Sequence, residues 1–260
     1  MRITQYFRLV DIQARMILKA DASKLTLGYL WWFLEPLMWV AVFYVVFNLI
    51  LDAGARGGAE FLTFLACGKF AFIWFSKTVS QASNSIVAAQ NLIGKINVPK
   101  SLFPMAVAHE SLFRQCAVYP LLLVIVMLFG YPASPMWLWL LPVLVVYYLM
   151  IVACALVGSY LVCLVRDFSQ FIQLGMTFLL FTSGIFWDVR ALGSPEKTEL
   201  ILTLNPLAFI LDAHRQVLMY QIPPDLAILG AIAVGAIVII AAMELLMRYT
   251  SQYLALKVLT

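Results

Sequence analysis

Six charged side chains lie within or beside the apolar runs of this chain: Glu35, Lys69, Lys77, Glu110, Arg114 and Glu244. Charge at membrane depth is costly, so such groups pair with one another or line a polar pathway. Glu110 and Arg114 stand four residues apart with opposite sign, and the spacing predicts a pair on one helix face. Glu35, just before Pro36, reads as a partner at a helix break. Lys77 differs, because Ser80, Gln81 and Asn84 accompany it. With Ser83, Ser85, Gln90 and Asn91 they give the stretch from Phe75 to Pro104 more hydrogen-bonding groups than lipid accepts. An unpartnered buried polar group costs roughly 2–7 kcal/mol, depending on the reference state. The stripe is therefore expected to face water, a cavity or other helices. Its chemistry is that of a hydrogen-bonding wall.

Signatures of catalysis are missing. Gly68-Lys69 and Gly94-Lys95 lack the upstream glycine and following Ser/Thr of a nucleotide-cradling loop. There is no H-E-x-x-H and no metal-ligand cluster; His109 and His214 are the only histidines, in separate segments. Ser183-Gly184 and His214 are the only pieces of an embedded hydrolase, and Ser183 and Gly184 read more simply as small residues for close helix packing. No catalytic residue, metal or bound cofactor is expected. Cys67, Cys116, Cys154 and Cys163 form no C-x-x-C pair and sit in apolar surroundings as buried thiols.

The elements that must hold the stripe are membrane helices. Of 260 residues, 64% are hydrophobic and 12% charged; soluble domains run at about 45–50% and about 25%. Several apolar stretches of eighteen or more residues define a polytopic membrane protein. The net charge of +4 is modest and implies topology rather than a nucleic-acid partner. Charges interrupt the first residues, so no cleavable signal peptide is expected. Residues 2–20 have helical apolar spacing and predict an amphipathic interfacial helix, with a soluble helix packed on a partner protein as the alternative.

Six spans follow: about Trp31–Leu51, Phe61–Ala89, Leu102–Phe129, Met136–Val165, Phe168–Phe186 and Leu226–Met247. Asp52–Glu60 is a Gly-rich turn. Within 187–225, Leu200–Leu204 and Leu207–Leu211 are too short to cross and are split by Asn205-Pro206. They are expected to dip in as re-entrant half-helices or lie at the interface. Arg2, Arg8, Arg15, Lys19, Lys24, Lys95, Lys100, Arg166, Arg248 and Lys257 fall on one side. Only Arg56, Arg190, Lys197 and Arg215 fall on the other. The positive-inside bias puts both termini, the 93–104 elbow and the Arg166 turn in the cytoplasm. The aromatic residues, among them Trp31, Trp74 and Phe75, read first as belt and core packing. The rarer reading is a stacking surface for sugar rings inside a conduit.

Leu27-Gly28-Tyr29-Leu30-Trp31-Trp32-Phe33-Leu34-Glu35-Pro36 resembles the start of the first span of ATP-binding-cassette type 2 polysaccharide-export permeases. Ser83-Asn84-Ser85, Asn91-Leu92-Ile93, Val98-Pro99-Lys100 and Phe103-Pro104 are similar to their second span and coupling segment. Ser183-Gly184-Ile185-Phe186 followed by Leu204-Asn205-Pro206-Leu207 resembles the end of their fifth span and the external segment after it. Asp212-Ala213-His214-Arg215 sits where such permeases often carry a short acidic-to-Arg stretch. The order of these motifs covers nearly the whole chain.

The resemblance implies a single permease domain over 1–260, all-α with six transmembrane helices, in the bacterial inner membrane. It implies a homodimer, two copies of a separate ATPase subunit that carries the ATP and Mg, and a polyprenyl-pyrophosphate-linked glycan such as O-antigen or capsule as substrate. Ile93, Gly94, Lys95, Ile96, Asn97, Val98, Pro99 and Lys100, with Arg166 and Asp167, would couple to the ATPase. Lys77, Ser80, Gln81, Asn84, Ser85, Trp31, Trp74 and Phe75 would line the channel. Asn205, Pro206 and Arg215 would belong to an external gate at 187–225. The rival readings are a same-fold exporter of a drug or simple lipid, a membrane enzyme acting on lipid-linked sugars, and a passive channel or scaffold.

Overall fold

A computed structural model describes residues 3–24, 26–46, 58–96 and 98–259. Phe47–Leu51 of the first expected span, most of the Asp52–Glu60 turn, Arg2, Arg56 and the coupling residue Asn97 lie outside the described residues. No strand occurs among the described residues, and the protein is all-α.

Helix α1, Ile3–Lys24, lies along α6, Leu102–Leu128. It buries Val10 and Ala14 and leaves Phe7 and Met16 exposed. It thus packs on its own chain while offering an apolar edge to an interface. Tyr6 ties it down: its hydroxyl donates to Glu244 Oε1 at 3.1 Å and lies 3.0 Å from Ser101 Oγ. Burial pushes the Tyr6 phenol's pKa up. A 3-10 turn at Gly28–Leu30 leads into α2, Trp31–Phe43.

Helix α3, Gly58–Ser83, is the central element. It packs on α6, on α7 (Leu140–Leu164) and on α10 (Pro206–Arg215). Its spanning window is 83% buried, against 11% for α2 and for α11, Leu226–Tyr249. Centrality explains its lower hydropathy: a helix walled by protein need not be greasy all round. Close approach to α7 depends on Gly158, where a Cβ would overlap Ser83 Oγ. Helix α3 then frays. Ser83 Oγ donates to the Val79 carbonyl at 2.6 Å, Asn84 Nδ2 to Ser80 at 2.9 Å and Ser85 Oγ to Ala82 at 2.6 Å. Side chains that bond back to carbonyls compete with the helix ladder. Two one-turn pieces follow, α4 (Ser85–Ala88) and α5 (Gln90–Ile93).

Among the described residues, five helical stretches are long and apolar enough to cross a membrane: Gly28–Val46, Glu60–Ser83, Leu102–Leu128, Pro135–Leu164 and Leu226–Tyr249. The expected fifth span is shorter than predicted. Helix α8 covers Phe168–Thr182, 15 residues, or about 22 Å at 1.5 Å per residue, less than a hydrocarbon core of about 30 Å. It stops at Ser183-Gly184, where Gly184 has φ +71.

The 187–225 segment folds back. Helix α9, Pro195–Leu204, meets α10 at Asn205, and α10 continues as a π-turn over Gln216–Tyr220. Every residue from Leu207 to Met219 is buried. A further helix, α12, covers Ser251–Leu259.

Candidate functional site

The expected channel-lining residues do not all meet. Trp31, Trp74, Lys77 and Gln81 line one cleft of about 300 Å³ between α2, α3 and α6, with Asp21, Trp32, Glu35, Ser111, Arg114 and Gln115. Asn84 and Ser85 line a neighbouring groove of about 510 Å³ under α1, together with Gln13, Asn91 and Phe103. The two hollows share Asp21 and Gln81. The stripe is thus one hydrophilic surface bent around the end of α1. Ser80 is half-buried beside it. Phe75 is not on this surface: it is buried, its ring stacked on Tyr147, at the edge of an apolar hollow beside α8 and α9.

The charges in the cleft are matched. The Lys77 ammonium is paired with both oxygens of Glu35. Arg114 grips Glu110 in a bidentate contact, Nη2 to Oε1 at 2.6 Å and to Oε2 at 2.8 Å, and Glu110 is fully buried. That is the pairing expected from their spacing. Sequence reasoning left Lys77 and Glu35 as separate roles; 42 residues part them, and no periodicity joins them. Lys69 lies 4.2 Å over the Trp39 ring, away from the cleft. Trp74 donates from Nε1 to Ser111 Oγ at 3.1 Å, and its ring meets Tyr147 edge-on.

The elbow presents its residues unequally. Gly94, Lys95 and Ile96 are exposed, Val98 and Pro99 half-buried, and Ile93 buried. Lys100 is turned inward at 3% exposure, donating to the Val98 carbonyl at 3.2 Å. Burial lowers the Lys100 ammonium's pKa. A hollow of about 290 Å³ separates it from Met247, Arg248 and Ser251. Arg166 and Asp167 are exposed at the turn before α8. Helix α12 closes over the elbow from below. Leu254 and Val258 join Ile93, Ile86, Phe103 and Met247 in one buried cluster, and Cys163 Sγ lies 3.8 Å from the Leu254 carbonyl. The apolar pair Leu254/Val258 at i,i+4 was the signal that could have found this helix.

On the opposite end, Asn205 works twice. Its Oδ1 accepts from the Ala208 N–H at 3.1 Å, capping α10, and its Nδ2 donates to Ser183 Oγ at 3.1 Å. Pro206 is exposed at the first turn of α10. Arg215 faces inward: it donates to the carbonyls of Phe64 at 3.2 Å, Gly184 at 2.8 Å and Ile185 at 3.3 Å. Asp212 holds Arg190 through Nη2 at 2.8 Å and also accepts from Gln216. That hydrogen bond raises the Arg190 guanidinium's pKa. His214 Nε2 lies 2.7 Å from the Tyr119 hydroxyl, inside the core. A buried polar cluster therefore locks the 187–225 segment to α3, α6 and the end of α8.

The architecture is that of a polytopic α-helical membrane protein with a hydrophilic face and no assembled reaction centre among the described residues. Residues 106–219 match the family described as ABC-2 type transporter. The chain is similar to the O-antigen export system permease protein RfbA of Klebsiella pneumoniae, 26% identical over 215 residues, covering 82% of this chain and 81% of that protein. It is also similar to the O-antigen export system permease protein RfbA of Myxococcus xanthus, 25% identical over 243 residues, covering 92% and 90%. Several helices long and apolar enough to cross a membrane make the chain a multi-pass membrane protein.

Proposed function

We propose that this chain is the transmembrane subunit of an ATP-driven exporter of a lipid-linked polysaccharide of O-antigen type. The observation that carries the reading is similarity along most of both chains to permeases named for O-antigen export. The physics of the cargo supports it. A glycan carries several hydroxyls per sugar, and each costs roughly 4–8 kcal/mol to strand in an alkane-like medium. A hydrophilic surface along the central helix and the short turns after it, as Lys77, Gln81, Asn84 and Asn91 provide, supplies one wall of a wet path.

In this reading two copies pair so that the path lies between protomers, and two copies of the ATPase bind ATP and Mg. The excess of basic residues on one side supports a bacterial inner-membrane chain with both termini and the elbow in the cytoplasm. The exposed Gly94–Ile96 and Arg166-Asp167 are the surfaces an ATPase would push. The 187–225 segment sits at the exit. Coupling is mechanical, because the nucleotide chemistry lies in another chain.

Purification of the tagged chain from its native membrane tests this. The expected result is a co-purifying nucleotide-binding subunit, and loss of surface glycan with build-up of the lipid-linked form inside when the chain is depleted. A surface glycan that is unchanged on depletion overturns the reading.

A further inference from the structure

The hollow at the root of the elbow, about 290 Å³, lies between Val98–Ser101 and the last turn of α11. Lys100, Arg248, Ser101 and Ser251 line it, and no acidic residue does. Lys100 is 3% exposed, yet its ammonium meets only the Val98 carbonyl. Among the described residues no carboxylate pairs with it. An ammonium has three donors, and a buried charge without a counter-charge is costly. Arg248 is also open to an anion. The carboxylate beside it, Glu244, stands 3.8 Å from Nε, beyond hydrogen-bond distance. That carboxylate already accepts from Tyr6. Two cations therefore share one hollow, and nothing within it answers their charge.

The position selects the source of the missing anion. Helix α6 starts at Leu102 and α11 stops at Tyr249, so the hollow joins the ends of two helices long and apolar enough to span. Such ends lie at the level of the lipid headgroups. Tyr249 is 88% exposed and Tyr253 is 55% exposed beside it, as rings at a membrane surface are. An acidic side chain on another protein would have to reach an ammonium that its own chain covers. A phosphate on a flexible glycerol enters from the bilayer, and basic pockets between spanning helices hold such headgroups. The volume falls just short of the about 300–1,000 Å³ of drug-sized sites, so the acyl chains stay outside. We infer that this hollow holds the phosphate of an anionic membrane phospholipid, one per chain, with Lys100 and Arg248 donating to its oxygens. It shares no lining residue with the two hollows of the hydrophilic surface. The inference does not depend on what the chain moves, nor on which side this end faces, because both leaflets carry phospholipid. Bound there, the lipid ties the elbow to the junction of α11 and α12.

Native mass spectrometry of the full chain in detergent tests this, titrating phosphatidylglycerol against phosphatidylcholine of the same acyl chains. The expected result is a first phosphatidylglycerol that binds at least tenfold more tightly than phosphatidylcholine. Lys100→Met weakens it about tenfold or more, the worth of a hydrogen bond to a charged group. Arg248→Gln weakens it about two- to fivefold, since an exposed cation is screened. Lys19→Gln, at an exposed residue of α1, leaves it unchanged. Phosphatidylglycerol also raises the unfolding midpoint of the wild-type chain and not that of Lys100→Met. Equal binding of phosphatidylcholine overturns the inference. So does unchanged affinity in Lys100→Met, or in Arg248→Gln where the first variant loses yield. Displacement by inorganic phosphate at the same concentration would put the ligand in water. Stronger displacement by farnesyl pyrophosphate would give the hollow to a pyrophosphate link instead. Either result overturns the assignment to a membrane phospholipid, and neither bears on the exporter reading.

Discussion

Gly68 clears the space that the Arg215 guanidinium fills: a Cβ on Gly68 would overlap Nη2. Through that gap Arg215 reaches the carbonyls of Phe64 on α3 and of Gly184 and Ile185 beyond α8. One side chain therefore joins three elements that diverge in sequence. Arg215 also lies 3.5 Å over the Phe64 ring. Gly68→Ala is expected to lower stability by about 1–3 kcal/mol through overpacking. Arg215→Met is expected to cost more, because each buried carbonyl left unpaired costs about 1–3 kcal/mol. Thermal unfolding in detergent, followed by gel filtration, measures both; midpoints equal to wild type would show that the staple carries no stability.

The Lys77–Glu35 pair makes a sharper test, since it can be reversed. Lys77→Glu alone sets two carboxylates face to face, and Glu35→Lys alone sets two ammoniums. The double swap restores opposite signs. The side chains are 47% and 27% exposed, so the attraction itself is screened and is worth at most about 1 kcal/mol. The double variant is expected to unfold within about 1 kcal/mol of wild type, with each single variant below it. Three variants of equal stability would mean the pair is incidental.

Much of this architecture is legible in the sequence, for physical reasons that differ by element. Apolar length alone marks Leu102–Leu128 and Leu226–Tyr249, since a membrane helix needs little else. Spacing alone gives the Glu110–Arg114 pair. The break at Asn205-Pro206 follows from a cap residue before a residue without an N–H. What escapes is whatever depends on two distant segments meeting. Glu35 and Lys77 are such a pair, as are Tyr119 and His214. The serines show a subtler loss. Ser83 counts as polar by composition, yet its hydroxyl bonds its own helix and is fully buried. Composition registers a polar group without registering that its hydrogen bond is already made. Gln115 shows the reverse. One turn after Ser111 in an apolar span, it was a visible signal at i,i+4, and only the structure reveals that its amide has no partner.

The elbow's two lysines are expected to behave differently. Lys95 is exposed and Lys100 is buried with its ammonium on the Val98 carbonyl. Lys95→Glu is predicted to reduce export several-fold at normal protein level, because it alters a surface the ATPase would touch. Lys100→Glu is predicted to lower the protein level itself, because it buries a carboxylate beside a carbonyl. Immunoblots paired with a surface-glycan assay separate the two effects. Normal export in Lys95→Glu would remove that lysine from the coupling surface.

Helix α12 braces the same elbow. Leu254 and Val258 are buried against Ile93, and the Leu259 side chain lies 3.4 Å from where a Cβ on Gly94 would stand. A lever transmits a push only if its root is stiff, and α4 and α5 are single turns too short to be stiff alone. Leu254→Ala removes a fully buried side chain, a change that costs about 2–5 kcal/mol in a packed core. Here the loss falls on one local unit, so residues 85–96 are expected to open more often while α6 and α7 stay closed. Hydrogen–deuterium exchange reads this directly. Exchange over 85–96 should quicken at least tenfold in Leu254→Ala and in a chain ending at Thr250, with export falling in step. Unchanged exchange at the elbow would mean that α12 covers it without supporting it.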